Sequence, residues 1–194
     1  MVNNDGINVH PKTQEMTQNY TIRIQAGSLK GRILTCTTNH VRPTGQRTRE
    51  TLFNWLTPYI HQAKCLDIFS GTGILAFEAI SRGAQSCLCL DRSIQCIEHI
   101  SQHADLFNCN NLSTQKHLFP NPLTHTEPFD IIFIDPPFNS ISQSSIIQWV
   151  KEHQHVHSET LIYFERHARE PLDHQWHIHR EKKYSNVCFG LYQL

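Results

Sequence analysis

Apolar and polar positions alternate over Tyr20–Ala26 and again over Arg32–Cys36, with Gly27-Ser28-Leu29-Lys30-Gly31 between them. A period of two around a glycine-rich turn predicts a β-hairpin. Arg42-Pro43-Thr44 breaks any strand, and Thr44 or Gly45 can then cap a helix running to about Leu56. Its Leu52, Phe53, Trp55 and Leu56 fall on or near one stripe, and Pro58 ends it. From Ala63 onward strand-like and helix-like segments alternate. Strands are expected at 64–69, 86–90, 112–118, 129–134 and 160–164, and helices at 73–81, 93–107 and 144–152. Trp176–Arg180 and Val187–Tyr192 read as a closing pair of strands about Tyr184-Ser185-Asn186. Such alternation implies an α/β fold with a mostly parallel sheet covered on both faces, and the closing pair implies an antiparallel C-terminal edge. The chain divides into a flexible tail (1–19), a hairpin-and-helix extension (20–58) and a main domain (63–194).

Three segments carry candidate chemistry. In Phe129-Asp130-Ile131-Ile132-Phe133-Ile134-Asp135-Pro136-Pro137-Phe138 a buried-type strand ends in an acid, two prolines and an aromatic. The prolines lack an N–H and stop the strand. The sheet edge then offers a carboxylate, free carbonyls and a ring, which suits a flat base bearing an exocyclic amine. A plain strand exit with a buried acid is the structural alternative. In Leu66-Asp67-Ile68-Phe69-Ser70-Gly71-Thr72-Gly73 a strand runs into a glycine turn that lets backbone approach a ligand closely. Gly71 to Ala76 also fits the relaxed GxGxxA form of a dinucleotide site, the oxidoreductase reading. Asp67 opposes that, because it sets a carboxylate beside phosphate charge. A ligand with a cationic end fits better, and S-adenosylmethionine carries an ammonium and a sulfonium. A third strand ends in Leu90-Asp91-Arg92, where an acid about twenty residues past the glycines can accept ribose hydroxyls. Asp91 or Ser93 can equally cap the next helix.

Formal net charge is zero, which argues against indiscriminate nucleic-acid binding. Its distribution changes the picture: Arg23, Lys30, Arg32, Arg42, Arg47 and Arg49 face a single acid, Glu50, between residues 21 and 50. This is a local basic patch, or else an ordinary solvated face. The seven cysteines lack a CxxC pair and read as core residues of a protein in a reducing cytoplasm. No secretory signal or membrane-spanning run is visible. His153, His155 and His157 could line one exposed strand face, but zinc needs a fourth ligand or an open site.

Taken together, these blocks resemble class I S-adenosylmethionine-dependent methyltransferases with a Rossmann-like sheet. More closely the chain is similar to the RsmD family of bacterial 16S rRNA guanine-N2 methyltransferases. The resemblance rests on Arg23 to Arg32 with Arg42-Pro43-Thr44 and Arg47 to Leu56, on Leu66 to Gly73, and on Asp135 to Phe138. It implies methylation of a guanine N2 amine by Asp135, Pro136, Pro137 and Phe138. It implies a cofactor site of Asp67, Phe69, Ser70, Gly71, Thr72, Gly73, Asp91, Arg92, His117 and Leu118. It implies rRNA contact through Arg23, Lys30, Arg32, Arg42, Arg47 and Arg49, the substrate being 16S rRNA in a partly or fully assembled small ribosomal subunit. Thr44 and Arg49 could instead close over the cofactor. Two positions depart from the family pattern. Cys89 stands where relatives have Glu, leaving the ribose to Asp91 or to no side chain. His117 stands where relatives have Asp or Asn near the adenine. Rival readings are an adenine-N6 DNA methyltransferase, which generally needs an added target-recognition region, and a non-catalytic RNA-binding assembly factor.

Overall fold

The computed structural model describes residues 18–38, 44–124, 127–136, 141–152 and 155–194. In chain order the elements are β1 (Gln18–Arg23), β2 (Ile33–Thr38), α1 (Gln46–Leu56), β3 (Lys64–Asp67), α2 (Ile74–Ser81), β4 (Ser86–Asp91) and α3 (Ile94–Phe107). They continue with β5 (Leu112–Lys116), β6 (Ile131–Ile134), α4 (Gln143–Glu152), β7 (Leu161–His167), β8 (His177–Tyr184) and β9 (Val187–Gln193). Every element read from the sequence is present. The first strand begins at Gln18, two residues inside the expected tail; residues 1–17 lie outside the described residues.

β3 to β9 form one sheet in the order β5-β4-β3-β6-β7-β9-β8. The five strands from β5 to β7 are parallel. The chain builds outward from β3 to β5, then returns to place β6 on the other side of β3, so the strand order reverses between β3 and β6. A crevice at the carboxyl ends of such a pair is the ligand position of open α/β sheets. The C-terminal edge is the expected antiparallel pair, with one refinement. β9 lies inside the sheet, antiparallel to β7, and β8 is outermost. β8 therefore runs in the same direction as the parallel strands.

β6 is buried at all four positions, as a strand covered on both faces must be. On one face α1, α2 and α3 pack on Cys65, Cys87, Ile131, Phe133, Tyr163 and Phe189. On the other, α4 contributes Ile146, Ile147, Trp149 and Val150 against Leu66, Leu90, Ile132 and Ile134. The hairpin and α1 share the first of these cores: Ile22, Ile24, Leu34, Leu52, Phe53 and Leu56 are all buried in it. Phe53 lies 6.0 Å from Phe133 of β6, centroid to centroid.

Polar side chains of α2 fasten the extension. Glu78, fully buried, accepts from the Arg49 guanidinium at 3.0 Å, from Arg82 at 3.2 Å and from the Gln25 backbone N–H at 2.8 Å. The Leu29 N–H donates to the Ser81 hydroxyl at 2.9 Å, which itself donates to the Ala26 carbonyl at 2.5 Å. Gly27 sits at φ 82°, where a Cβ would stand 1.7 Å from the Ser81 carbonyl oxygen. Contact that close requires glycine.

His155, expected on an exposed strand, is buried in a loop, its ring 4.7 Å from Trp149. Wedged under α4, it joins the apolar layer, while His157 turns away to Asp130 at 3.1 Å. His153 lies outside the described residues. The described residues contain no group of three or more potential metal ligands, and no helix among them is long and apolar enough to cross a membrane.

Candidate active site

Asp67 closes β3, Asp91 closes β4, and Asp135 follows directly on β6. Three adjacent strands thus deliver three carboxylates to one edge of the sheet. Asp67 is 2% exposed, and its Oδ2 has no hydrogen-bond partner among the described residues. Burial, and then the charges of Asp135 and Asp91, push its carboxyl well above the usual carboxylate range; a bond from the Ala76 N–H offsets only part of this. A buried carboxylate oxygen without a partner is costly unless a cation or donor meets it. Asp135 is half-buried, and desolvation raises it to about 6 against the opposing effect of a 3.0 Å bond from the Thr44 hydroxyl.

The turn after β3 has the geometry that its glycines foretell. Gly71 and Gly73 adopt φ of 51° and 75°. The Ser70 N–H bonds the Leu90 carbonyl at 3.0 Å, and the Ser70 hydroxyl bonds back to the Asp67 carbonyl at 2.8 Å. Thr72 is buried, and a Cβ on Gly73 would stand 2.9 Å from Ile100 of α3. The turn is held close against α3, and the first turn of α2 opens toward the crevice.

Of the two residues the sequence offered as the cap of α3, Ser93 takes that place, and both oxygens of Asp91 accept backbone N–H groups. Oδ2 accepts from the Gly71 N–H at 2.9 Å and Oδ1 from the Ser93 N–H at 2.8 Å. It braces the glycine turn against the start of α3, where Ser93 is the capping residue. Each oxygen keeps a lone pair for a ribose hydroxyl. Cys89 is fully buried, facing the core on the α2 side, so the thiol presents nothing to a ligand. Arg92 is exposed. The His117 N–H donates to the Asp91 carbonyl at 2.8 Å, and its ring packs edge-on to Trp149 at 6.0 Å. Leu118 is 60% exposed beside it, and Phe69 packs on Phe119 at 5.6 Å. Together they give the crevice an apolar flank fit for a flat ring.

The basic residues separate into three groups. Arg49 departs from the expectation: at 4% exposure, with its guanidinium on Glu78 and its Nη1 also donating to the Arg23 carbonyl at 3.3 Å, it is half of a core ion pair unable to reach RNA or cofactor. Burial lowers its pKa from the usual arginine value, with Glu78 opposing. Arg23, Lys30 and Arg32 are exposed on or beside a turn that docks on Ser81, at the end of α2 remote from the glycine turn. The guanidinium of Arg32 lies 5.5 Å over Phe107, at the same far end of α3. These three therefore sit at the amino edge of the sheet, opposite the carboxylates, and the structure does not bring them to the site. Arg47 is exposed on the first turn of α1, three residues from Thr44. Arg42, Pro137 and Phe138 lie outside the described residues. Sequence reading missed Glu78 and Ser81; the one signal was a lone acid in the otherwise apolar run Ile74–Ile80.

The donor set fits S-adenosylmethionine: a buried carboxylate with one unpaired oxygen for a cation, a glycine turn at a helix start, an acid for ribose and an apolar flank for a base. Strand order, switch-point crevice and site together define a class I S-adenosylmethionine-dependent methyltransferase. Within that class the chain belongs to the RsmD family of ribosomal RNA small subunit methyltransferases; the family model described as conserved hypothetical protein 95 matches residues 22–193. It is 37% identical over 185 residues to ribosomal RNA small subunit methyltransferase D of Haemophilus influenzae, covering 89% of this chain and 93% of that one. It is 36% identical over 186 residues to the protein of the same name from Escherichia coli K12, covering 89% of each. The solved structure of the putative methyltransferase yhhF from Escherichia coli superimposes with a TM-score of 0.81 at 33% identity, covering 90% of this chain and 98% of that chain.

Proposed function

We propose that this protein methylates the N2 amine of a guanine in small-subunit ribosomal RNA, with Asp67, Asp91 and the glycine turn holding S-adenosylmethionine and Asp135 holding the target amine. The observation that carries the reading is the meeting at the switch point of a buried carboxylate with one unpaired oxygen, Asp67, and a second carboxylate of raised pKa, Asp135. One needs a cation and the other suits an amine. S-adenosylmethionine supplies an already activated methyl group, so the protein's task is placement.

A guanine amine is a poor nucleophile because its lone pair is delocalised into the ring. Asp135 and the Pro136 carbonyl accept its two N–H groups, which localises the lone pair and orients it. A carboxyl at about 6 is ionised at neutral pH and is more basic than an ordinary aspartate, so Asp135 can also take the proton released on transfer. Thr44 fixes the carboxylate rotamer through its 3.0 Å bond. The base must leave its stack to reach this edge, and Phe138 is the side chain proposed to stack on it. Phosphate contact within the extension falls to Arg47 and Arg42. The RNA is taken as part of a partly or fully assembled small subunit, because a chain of zero net charge has modest phosphate attraction of its own.

The test is methyl transfer to small-subunit rRNA and to partly assembled particles, with mass analysis of the product nucleoside. N2-methylguanosine from wild type, lost in Asp135→Ala, supports the reading. N6-methyladenosine, or full activity in the variant, overturns it.

A further inference from the structure

β8 is exposed along its length, and its outer side lies at the sheet edge. Because β8 runs parallel to β7, its Tyr184 end lies at the same edge as Asp135, three strand spacings or about 14 Å away. It carries Arg180, Lys182 and Lys183 against one acid, Glu181. That acid is neutralised: Glu181 Oε2 accepts from Arg166 at 2.8 Å and from the Tyr192 hydroxyl at 2.8 Å. Arg180 and Lys182 stand opposite Leu191 and Phe189, on the face of the sheet that α1 covers. The ammonium of Lys182 lies 4.8 Å over the Tyr184 ring, and the Tyr184 hydroxyl is 3.4 Å from Thr51 of α1. Arg47 is one helical turn before Thr51, on the same helix face. The Tyr184 phenol is lowered from its ordinary value, first by its bond to Lys182, then by Thr51, with the charges of Lys182 and Arg47 adding to this. The cations of strand and helix thus act on one spot.

We propose that Arg180 and Lys182 of β8, with Arg47 of α1, form a rim that binds the phosphates of the RNA strand flanking the target nucleotide; Lys183, paired with Cys188, points to the other face of the sheet. The proposal rests on the function given above. It moves the phosphate track from the hairpin turn, which faces the opposite edge, to the edge that carries the carboxylates. A lysine-bearing edge strand also guards against strand-to-strand pairing. A glutamate would serve that purpose equally, so charge reversal separates the two roles.

The experiment is RNA binding by the full chain as a function of salt, using small-subunit rRNA, together with methylation kinetics. In Arg180→Gln/Lys182→Gln the salt slope falls by about 1.4, since each phosphate contact with single-stranded RNA contributes about 0.7. KM for RNA rises at least tenfold, kcat holds, and the S-adenosylmethionine affinity stays at the wild-type value, which also reports intact folding. Arg180→Glu/Lys182→Glu weakens RNA binding further while remaining monodisperse. Lys30→Gln/Arg32→Gln, at the other edge, keeps the wild-type slope. Unchanged slope and KM in the β8 variants, or the loss appearing in the hairpin variant instead, overturns the rim. If wild type fails to methylate rRNA at all, the proposed function falls, whereas the salt slopes still decide which surface holds RNA.

Discussion

The Thr44 hydroxyl donates to Oδ2 of Asp135 at 3.0 Å, joining two residues 91 positions apart. Through it the extension reaches the carboxylate proposed to receive the substrate amine. The bond favours the ionised form and opposes burial, the two together leaving Asp135 raised to about 6.

Thr44→Val therefore raises that pKa further. The acid limb of kcat/KM against pH, near 6 in the wild type, moves to higher pH. At neutral pH the rate falls about tenfold to a hundredfold, the worth of a bond to a charged group of about 1.5–3 kcal/mol. Thr44→Ser restores most of it. A pH–rate profile for the three proteins is the measurement.

Asp67→Asn separates stability from function. The folded-state pKa of Asp67 is raised, so the ionised carboxylate costs stability above that pKa and the cost fades as pH falls through it. Neutralising the side chain relieves both burial and the repulsion from Asp135 and Asp91. The free protein should melt a few degrees higher at neutral pH, at about 2–4 °C per kcal/mol for a chain of this size, and lose at least tenfold in cofactor affinity. Thermal melts with and without S-adenosylmethionine check both halves.

The same sign applies to Asp135, where the window is defined. Its contribution to the stability of the free protein declines as pH rises from 3.8 to about 6 and is level above. A cationic ligand reverses the balance by favouring the ionised carboxylates. Cofactor binding should tighten as pH rises through this range and release protons there. Calorimetry in buffers of different ionisation enthalpy reads the proton count.

Arg49→Met tests the buried pair with Glu78. Removing one partner leaves Glu78 with less compensation in a fully buried position, a loss of about 3–5 kcal/mol that a denaturant titration resolves. The salt slope of RNA binding should not change, because the guanidinium is 4% exposed.

The site was legible where its chemistry is local. A strand ending in Asp67 and then two glycines can do little besides turn sharply and present a carboxylate, and that is what Gly71 and Gly73 permit. The same holds for β6, where Asp135-Pro136 ends the strand. What escaped was partnership at a distance. Arg49 sits in a basic run and reads as surface, yet its partner Glu78 lies 29 positions on, inside an apolar helix. Lys30 and Arg32 have the right charge, but their edge of the sheet follows from Ser81, which sequence pattern alone does not connect to a turn 50 residues earlier. β8 has no apolar alternation because it is an exposed edge strand, so its length and its cations were read only in part. His155 looked polar by its neighbours and is core by its contact with Trp149.

β9 comes last of the seven strands in sequence but lies within the sheet, bonded on one side to β7 and on the other to β8. A nascent chain emerging from the ribosome can assemble β3 to β7, but β8 has no neighbour until β9 arrives. The edge that carries Arg180, Lys182 and Lys183 is completed only when β9 has docked between β7 and β8. The edge proposed to meet RNA is thus the last part of the sheet to find its place, and it depends on β9 for it.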